Sequence, residues 1–132
     1  AFLASHADGR RVIVTTPSVR ALETLREQAP EVVRMLSLGD RRGLQALQDD
    51  PARVDLLNGV AVRATLLDAE TMTWFKERGL LVAAWTVNDL AQLNRVTALG
   101  IDVVTTDNLA ILDALREAEQ RRDAVRLGRA FR

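Results

Sequence analysis

An α/β fold built on a mainly parallel sheet is predicted by three features of the sequence. Short β-rich runs alternate with helical patterns along the chain, as in repeated βα units. The β-rich runs are continuously apolar, which is typical of strands covered on both faces. The length of 132 residues favours one domain. Two architectures fit, a small doubly wound sheet or part of a (β/α)8 barrel, and the pattern alone does not separate them.

The first strand is predicted over residues 12–16, between Gly9 and Pro17. Ser18 is a suitable N-cap for the helix that follows, because its hydroxyl can accept a hydrogen bond from a free backbone N–H. Pro30 ends that helix, because proline disfavours helical geometry in the residue before it.

A second strand is predicted over residues 31–38, closed by Gly39 and Asp40. A short helix through Leu44 follows and stops near Pro51. The next segment is less regular, and residues 56–62 are predicted to form a strand that a turn interrupts.

The second half of the chain is more regular. Asp68 is the predicted cap of a helix that Gly79 stops, and residues 81–85 form a buried strand. Either Asn88 or Asp89 caps the following helix. The last strand is predicted over residues 101–106. Asp107 or Asn108 then caps a helix that runs on to the C-terminus.

Composition indicates a folded globular protein and excludes several partners. Hydrophobic residues make up 48% and charged residues 27% of the chain. Basic and acidic residues number 18 each, so no overall field points to nucleic acid. The apolar runs are too short for a membrane span. Cysteine is absent, which excludes disulfides and thiolate metal sites but leaves the localisation open. Because the chain begins at Ala1, we expect a processed product or an excised piece.

Polar residues follow the strands at what would be one rim of the fold, where α/β proteins bind ligands. These rim loops are residues 15–18, 37–40, 85–89 and 105–108. For Ser18, Asp89 and Asp107 the simplest interpretation is helix capping. Capping does not explain the indole of Trp85, which either packs in the core at the end of its strand or forms the apolar wall of a ligand site.

The sequence offers little for catalysis. The only histidine, His6, precedes the first strand and is therefore expected at the rim opposite the ligand loops. Trp74 lies within an amphipathic helix and is interpreted as packing. Asp49 and Asp50 lie at a helix end, where solvated charge is the expected state. No Gly-rich phosphate loop and no histidine pair at metal-binding spacing is present.

Two linked motifs resemble a known family. Residues 79–88 read GLLVAAWTVN and residues 99–107 read LGIDVVTTD. They resemble the C-terminal part of the glycerophosphodiester phosphodiesterases, which combines a hydrophobic strand, a W-T-V-N turn, a helix and a G-[VI]-D strand closing in T-D. Residues 12–18 look like the family's strand five, with Thr-Pro-Ser in place of a Ser-Phe-Asp type turn. Residues 25–30 resemble the L-R-x-x-x-P that follows.

The resemblance covers about residues 10–115 and implies a fold and an activity. The implied fold is strands five to eight of a TIM (β/α)8 barrel of the phospholipase C-like phosphodiesterase type. Residues 1–115 would form a partial family domain, and residues 116–132 a basic helical tail. The full family barrel hydrolyses glycerophosphodiesters to an alcohol and glycerol 3-phosphate in lipid and glycerol metabolism. It uses a histidine pair and a divalent metal, Ca²⁺ or Mg²⁺.

The family's catalytic groups lie on strands one to four: a His-Arg-Gly turn, acidic metal ligands, a second histidine and a Glu-x-Lys pair. None has a matching position here, so the resemblance assigns no catalytic residue, no metal ligand and no cofactor to this chain. It carries over only Trp85, as a wall of the glycerol side of the pocket. Asn88 and Asp107 match motif positions whose implied roles are structural.

Three hypotheses about function stay open at this point. In the first, the chain is the C-terminal part of a glycerophosphodiester phosphodiesterase and is inactive alone. In the second, it is a non-catalytic half-barrel that serves binding or assembly. In the third, it is an unrelated small α/β domain whose match to the family is fortuitous. The expected partners are a small-molecule glycerophosphodiester and either the N-terminal half of the same barrel or a second copy of the chain.

Overall fold

Five parallel strands form one sheet in the computed structural model, which describes the backbone of residues 12–130 and the side chains of residues 12–121. The strands are β1 (Ile13–Thr16), β2 (Val33–Leu38), β3 (Gly59–Arg63), β4 (Leu81–Trp85) and β5 (Val103–Val104). They lie side by side in chain order. A doubly wound sheet reverses its strand order at a switch point, whereas a barrel keeps sequential order. The described strands therefore form an arc of the barrel type.

Helices follow the strands, as the sequence predicted for an α/β fold. They are α1 (Val19–Gln28), α2 (Arg41–Asp49), α3 (Ala69–Glu77), α4 (Leu90–Ala98) and α5 (Leu109–Ala130), with 3-10 helices at Pro51–Leu56 and Ala64–Leu66. Among the helices of residues 12–130, none combines the length and the apolar character that a membrane crossing requires.

The main core lies between the sheet and the helices, on one face only. The strands contribute Leu36, Leu38, Val60, Val62, Val82 and Ala84, and the helices contribute Leu22, Leu44, Leu47, Phe75, Leu93, Val96 and Ile111. On the opposite face, Met35, Ala61 and Ala83 form a small second cluster. Within the described residues, helices cover one face of the sheet only. The strands read as continuously apolar because the second face, henceforth the open face, is also lined by apolar side chains.

Local signals for the helix starts were accurate. The Ser18 hydroxyl accepts a hydrogen bond from the Ala21 N–H at 3.1 Å, and the Asp89 carboxylate accepts one from the Gln92 N–H at 2.7 Å. Asp89 rather than Asn88 is therefore the cap of α4.

The last strand and the irregular third strand differ from prediction. Strand β5 is limited to Val103–Val104. Just before it, the Asp102 carboxylate takes the place of a backbone carbonyl and accepts the Val82 N–H at 2.9 Å. Leu56, the first residue of the predicted strand, is instead the last residue of a 3-10 helix, and the buried Arg34 side chain donates to the Leu56 carbonyl at 2.8 Å. The strand β3 consequently begins only at Gly59.

Two expectations about extent are not settled by these elements. Five strands are one more than the four in a run from strand five to strand eight, so the position of the arc within a full barrel stays a prediction. Helix α5 runs without a break from Leu109 to Ala130, across the boundary suggested between residues 115 and 116. His6 lies outside the described residues.

Candidate functional site

The open face forms a concavity of about 530 Å³. It is lined by Ile13, Thr15, Met35, Ser37, Ala61, Ala83, Trp85, Val103 and Thr105. These residues come from all five strands and point to one side, because successive side chains on a strand alternate between faces. Small alanines at the centre keep the concavity deep, while Ser37 and Thr105 bring hydroxyl groups towards the carboxyl ends of the strands.

Trp85 is the last residue of β4 and lies half-buried on the open face. Its indole N–H donates to the Ala61 carbonyl at 3.0 Å, which fixes the ring across the end of β3. Gly39 lies against the other edge of the ring, where an added Cβ would be 3.7 Å from the Trp85 Cη2. The peptide bond between Trp85 and Thr86 is cis. The sequence left open whether Trp85 packs in the core or forms the wall of a ligand site. Its position beside the concavity is that of a wall, and a role in binding stays a prediction.

Arg63 is the rim residue that the sequence reasoning missed. It pairs with Trp85 across β3 and β4, and its guanidinium carbon lies 4.8 Å from the centroid of the indole ring. Its Nε–H donates to the Gly39 carbonyl at 2.8 Å. The predicted strand ended at residue 62 and contained a turn, so the sequence did not show on which face of the sheet the Arg63 side chain lies. The alternation of Gly59, Ala61 and Arg63 against two valines would have revealed it.

Asn88 connects the two loops that follow β4 and β5. Its side-chain carbonyl accepts hydrogen bonds from the Thr106 hydroxyl at 3.1 Å and from the Asp107 N–H at 3.0 Å. The Asn108 amide donates to the Asn88 backbone carbonyl at 3.0 Å, and the Asn108 side-chain oxygen accepts from the N–H of Ala110 in the first turn of α5. Within these contacts Asn88 orders the rim, and the exposed Asp107 takes part through its backbone N–H.

Trp74 and Asp50, two further residues singled out in the sequence, lie away from the concavity. Trp74 packs edge-on against Phe75 at 5.7 Å between ring centroids and lies under the Arg78 guanidinium, 3.8 Å from its centroid. Asp50 pairs with Arg53 at 3.1 Å on an exposed helix end.

The charged groups of the described segment do not form a metal site. Within residues 12–121, no group of three or more His, Cys, Asp or Glu side chains lies close enough together to hold an ion. The described residues by themselves therefore do not supply a complete ligand set for the divalent cation implied for the full family barrel. What the rim offers is an apolar wall, one guanidinium and several hydroxyls, an arrangement suited to binding.

One carboxyl group has a clearly shifted pKa, and it lies outside this concavity. The Thr71 backbone N–H donates to the Asp68 carboxylate at 2.8 Å and holds the pKa of Asp68 below its usual range. The Thr71 hydroxyl and the positive charge of Arg41 act in the same direction. Asp68 caps α3, so this shift belongs to the stability of the helix.

Comparison with protein families gives one match over most of the chain. The sequence profile of the Glycerophosphoryl diester phosphodiesterase family matches residues 1–111. No match was found among curated proteins.

Several solved structures share the fold at low sequence identity. A provisionally assigned glycerophosphoryl diester phosphodiesterase from Agrobacterium tumefaciens superposes with a TM-score of 0.73 at 21% identity over 91% of this chain and 49% of its own. A second provisionally assigned enzyme of this kind, from Silicibacter pomeroyi, superposes with a TM-score of 0.64 at 19% identity over 77% of this chain and 38% of its own. A phosphodiesterase from Oleispira antarctica was solved with the product sn-glycerol-3-phosphate. It superposes with a TM-score of 0.61 at 19% identity over 78% of this chain and 42% of its own. The chain thus spans less than half the length of each of these three structures.

Proposed function

Because the chain belongs to the glycerophosphoryl diester phosphodiesterase family, we propose that it supplies one arc of a (β/α)8 barrel that hydrolyses glycerophosphodiesters. The products are an alcohol and glycerol 3-phosphate. In this proposal the chain contributes a wall and part of the rim of the pocket. Strands outside it contribute the acid–base groups, and the chain alone is inactive.

The observation that carries the proposal is the one-sided sheet. Five strands in chain order have helices on one face and a concavity of about 530 Å³ on the other. In a (β/α)8 barrel that second face is the interior, closed by about eight strands in total. This chain covers less than half of each of the three matched structures. Their remaining length is consistent with further strands that complete such a barrel.

Trp85 has the properties of a wall for the glycerol part of a substrate. The bond from its indole N–H to the Ala61 carbonyl holds the ring in one orientation, so little conformational freedom is lost when a ligand packs against it. The carbon-bound hydrogens of glycerol suit an aromatic face. The hydroxyls of Ser37 and Thr105, which line the same concavity, can exchange hydrogen bonds with those of glycerol.

The divalent cation of the family chemistry is expected to lie on the covering strands. A metal ion neutralises phosphate charge when it is bound. Since the described residues contain no suitable group of ligands, no step of the proposal is assigned to a cation held by this chain.

A complementation assay tests the proposal. The purified chain is incubated with glycerophosphocholine, with and without Ca²⁺ or Mg²⁺, and release of glycerol 3-phosphate is followed. We expect none, since loss of an essential acid–base group typically costs a factor of about 100 or more. The N-terminal strands of the Agrobacterium barrel are then fused ahead of this chain, and a folded fusion is expected to show metal-dependent turnover. Turnover by the chain alone would refute its inactivity, and a folded but inactive fusion would refute the enzymatic proposal.

A second function is favoured by the composition of the described rim. It has groups that bind a ligand, and a metal-ligand cluster is lacking within residues 12–121. A non-catalytic half-barrel module would bind a glycerophosphodiester and leave it intact even in the folded fusion. The same assay, with binding followed beside turnover, separates this function from the first.

A further inference from the structure

The Arg63 guanidinium carries a positive charge that no carboxylate neutralises within residues 12–121. Its one acceptor among these residues is the Gly39 carbonyl, bonded to Nε at 2.8 Å, and its guanidinium carbon lies 4.8 Å from the centroid of the Trp85 ring. The ion pairs of the described segment are Arg53–Asp50 and Lys76–Asp102, and neither involves Arg63. Asp40, which follows Gly39, already accepts the Gly43 N–H at 2.8 Å as the cap of α2.

Two other arginines, Arg34 on β2 and Arg95 on α4, show how a structural guanidinium is satisfied in this fold. Arg34 is buried and bonds the Leu56 carbonyl through Nε while its Nη1 reaches two further carbonyls. Arg95 uses all three nitrogens, including a bond of 2.7 Å from Nη1 to the Leu67 carbonyl. Arg63 uses Nε alone. Among the described residues its two terminal nitrogens have no acceptor, although an arginine can donate five N–H groups in a planar fork.

The terminal nitrogens of Arg63 lie where a ligand could reach them. Arg63 ends β3 on the open face, beside Trp85, and Thr105 lies on the far side of Trp85 because Ala84 pairs with Val104. Closure of the barrel would enclose this row of side chains. Enclosing an unpaired guanidinium is unfavourable, because the charge loses water without gaining a partner. An anion bound at the rim removes that penalty.

We infer that Arg63 binds the phosphoryl group of the ligand, with Trp85 as the platform that orients the guanidinium. The inference rests on the proposed function, which supplies a phosphodiester as the ligand class. A fork of two terminal nitrogens matches two phosphoryl oxygens, and such charge-assisted pairs are stronger than neutral hydrogen bonds. The same row then places the glycerol arm against the indole and near the Thr105 hydroxyl.

Binding of sn-glycerol 3-phosphate to the full chain tests this role, at a dilution at which light scattering shows a monomer and the open face is not covered by a second copy. Affinity is measured by calorimetry, and the indole N–H resonances are followed by NMR to locate the ligand at Trp85. We expect Arg63→Gln to weaken binding about tenfold or more and Arg63→Lys to weaken it less, since lysine keeps the charge without the fork. Glycerol without the phosphate should bind both variants as it binds the unmodified chain. Added salt should weaken glycerol 3-phosphate binding in the unmodified chain more than in Arg63→Gln.

Arg78→Gln is the matched control, because Arg78 also stacks on a tryptophan, Trp74, but on the outer surface of α3. It should leave the affinity unchanged, and circular dichroism confirms that each variant is folded. The inference is overturned if Arg63→Gln binds glycerol 3-phosphate as tightly as the unmodified chain. It is also overturned if the unmodified chain binds glycerol 3-phosphate no better than glycerol. Neither result bears on turnover by the fusion, which is what decides the proposed function.

Discussion

At the scale of single residues, Trp85 is held from three sides. The Ala61 carbonyl takes its N–H, Arg63 covers one face of the ring, and Gly39 lies against an edge. A side chain fixed in this way keeps its shape in the absence of ligand, which is what a pocket wall requires. The small residues around it are part of the same arrangement, because a larger side chain at Gly39 would fill the space beside the indole.

Replacement of Trp85 by alanine is expected to weaken glycerol 3-phosphate binding about tenfold, because an aromatic contact is lost and the Arg63 platform disappears. The measurement is the calorimetric affinity of the variant beside that of the unmodified chain. Trp74→Ala is the control, since Trp74 packs on Phe75 at the outer side of the sheet. Equal affinities of the two variants would contradict a binding role for Trp85.

The Asp68 cap gives the chain a pH-dependent contribution to stability. Its folded-state pKa is lowered, chiefly by the Thr71 N–H, so the charged form stabilises the folded protein. This contribution is complete above the unfolded carboxyl pKa of about 4 and is lost as the pH falls through the lower folded pKa. Because the carboxylate is exposed, solvent screening keeps the electrostatic part small.

Asp68→Ala is therefore expected to lower the free energy of unfolding by about 1 kcal/mol at pH 7, the usual effect of losing an N-cap. Asp68→Asn keeps an acceptor and should cost less. The difference in melting temperature between the unmodified chain and Asp68→Asn should shrink between pH 5 and pH 2, as measured by circular dichroism. A constant difference over that range would show that the charge does not contribute.

At the scale of elements, the sequence predicted what depends on neighbouring residues. The strand at residues 81–85 and the caps Ser18, Asp68 and Asp89 agree with the structure, because an apolar run and a short polar side chain act within a few positions. The irregular turn before β3 depends instead on the distant side chain of Arg34. The sequence reasoning missed Arg63 because the start of β3 decides which residues lie on the open face, and that start was not predicted.

The end of the sheet shows the same dependence on tertiary contacts. The Asp102 carboxylate accepts hydrogen bonds from the Lys76 ammonium and from the Val82 N–H, and so joins α3, β4 and the start of β5. No local pattern reveals that an aspartate side chain will replace a carbonyl in a sheet. The G-[VI]-D motif marks the position, and the structure supplies the reason.

Asp102→Ala should lower the free energy of unfolding by about 1–3 kcal/mol, because the part-buried Val82 N–H loses its acceptor. Lys76→Met should cost about 1 kcal/mol or less, since an exposed ion pair contributes little. Urea denaturation of the two variants measures both values. Equal small losses would mean that water replaces the Asp102 carboxylate without penalty.

At the scale of the whole molecule, the open face exposes apolar side chains, which closure of the proposed barrel would enclose. Ile13 is 53% exposed, Leu81 43% and Val103 41%. Ile13 and Val103 line the concavity, and Leu81 lies on the same side because it alternates with Ala83 and Trp85 along β4. In the described sheet β1 and β5 are also edge strands, with unpaired backbone groups on their outer sides. Such edges and faces favour association with another chain.

We propose that the isolated chain associates through this face, with a second copy or with the N-terminal half of a family barrel. A two-fold dimer is the expected form for the chain alone, because closed symmetric dimers are the commonest oligomers. Light scattering should then give a mass near twice 14.6 kDa at micromolar concentration.

Leu81→Lys should shift the chain to the monomer mass, because a charge on the open face cannot be buried against an apolar partner. Leu90→Lys is the matched control, since Leu90 is 58% exposed at the start of α4, on the helix-covered side. It should leave the mass unchanged. A monodisperse mass near 14.6 kDa for the unmodified chain would rule out the dimer, and a dimer that both variants retain would place the interface away from the open face.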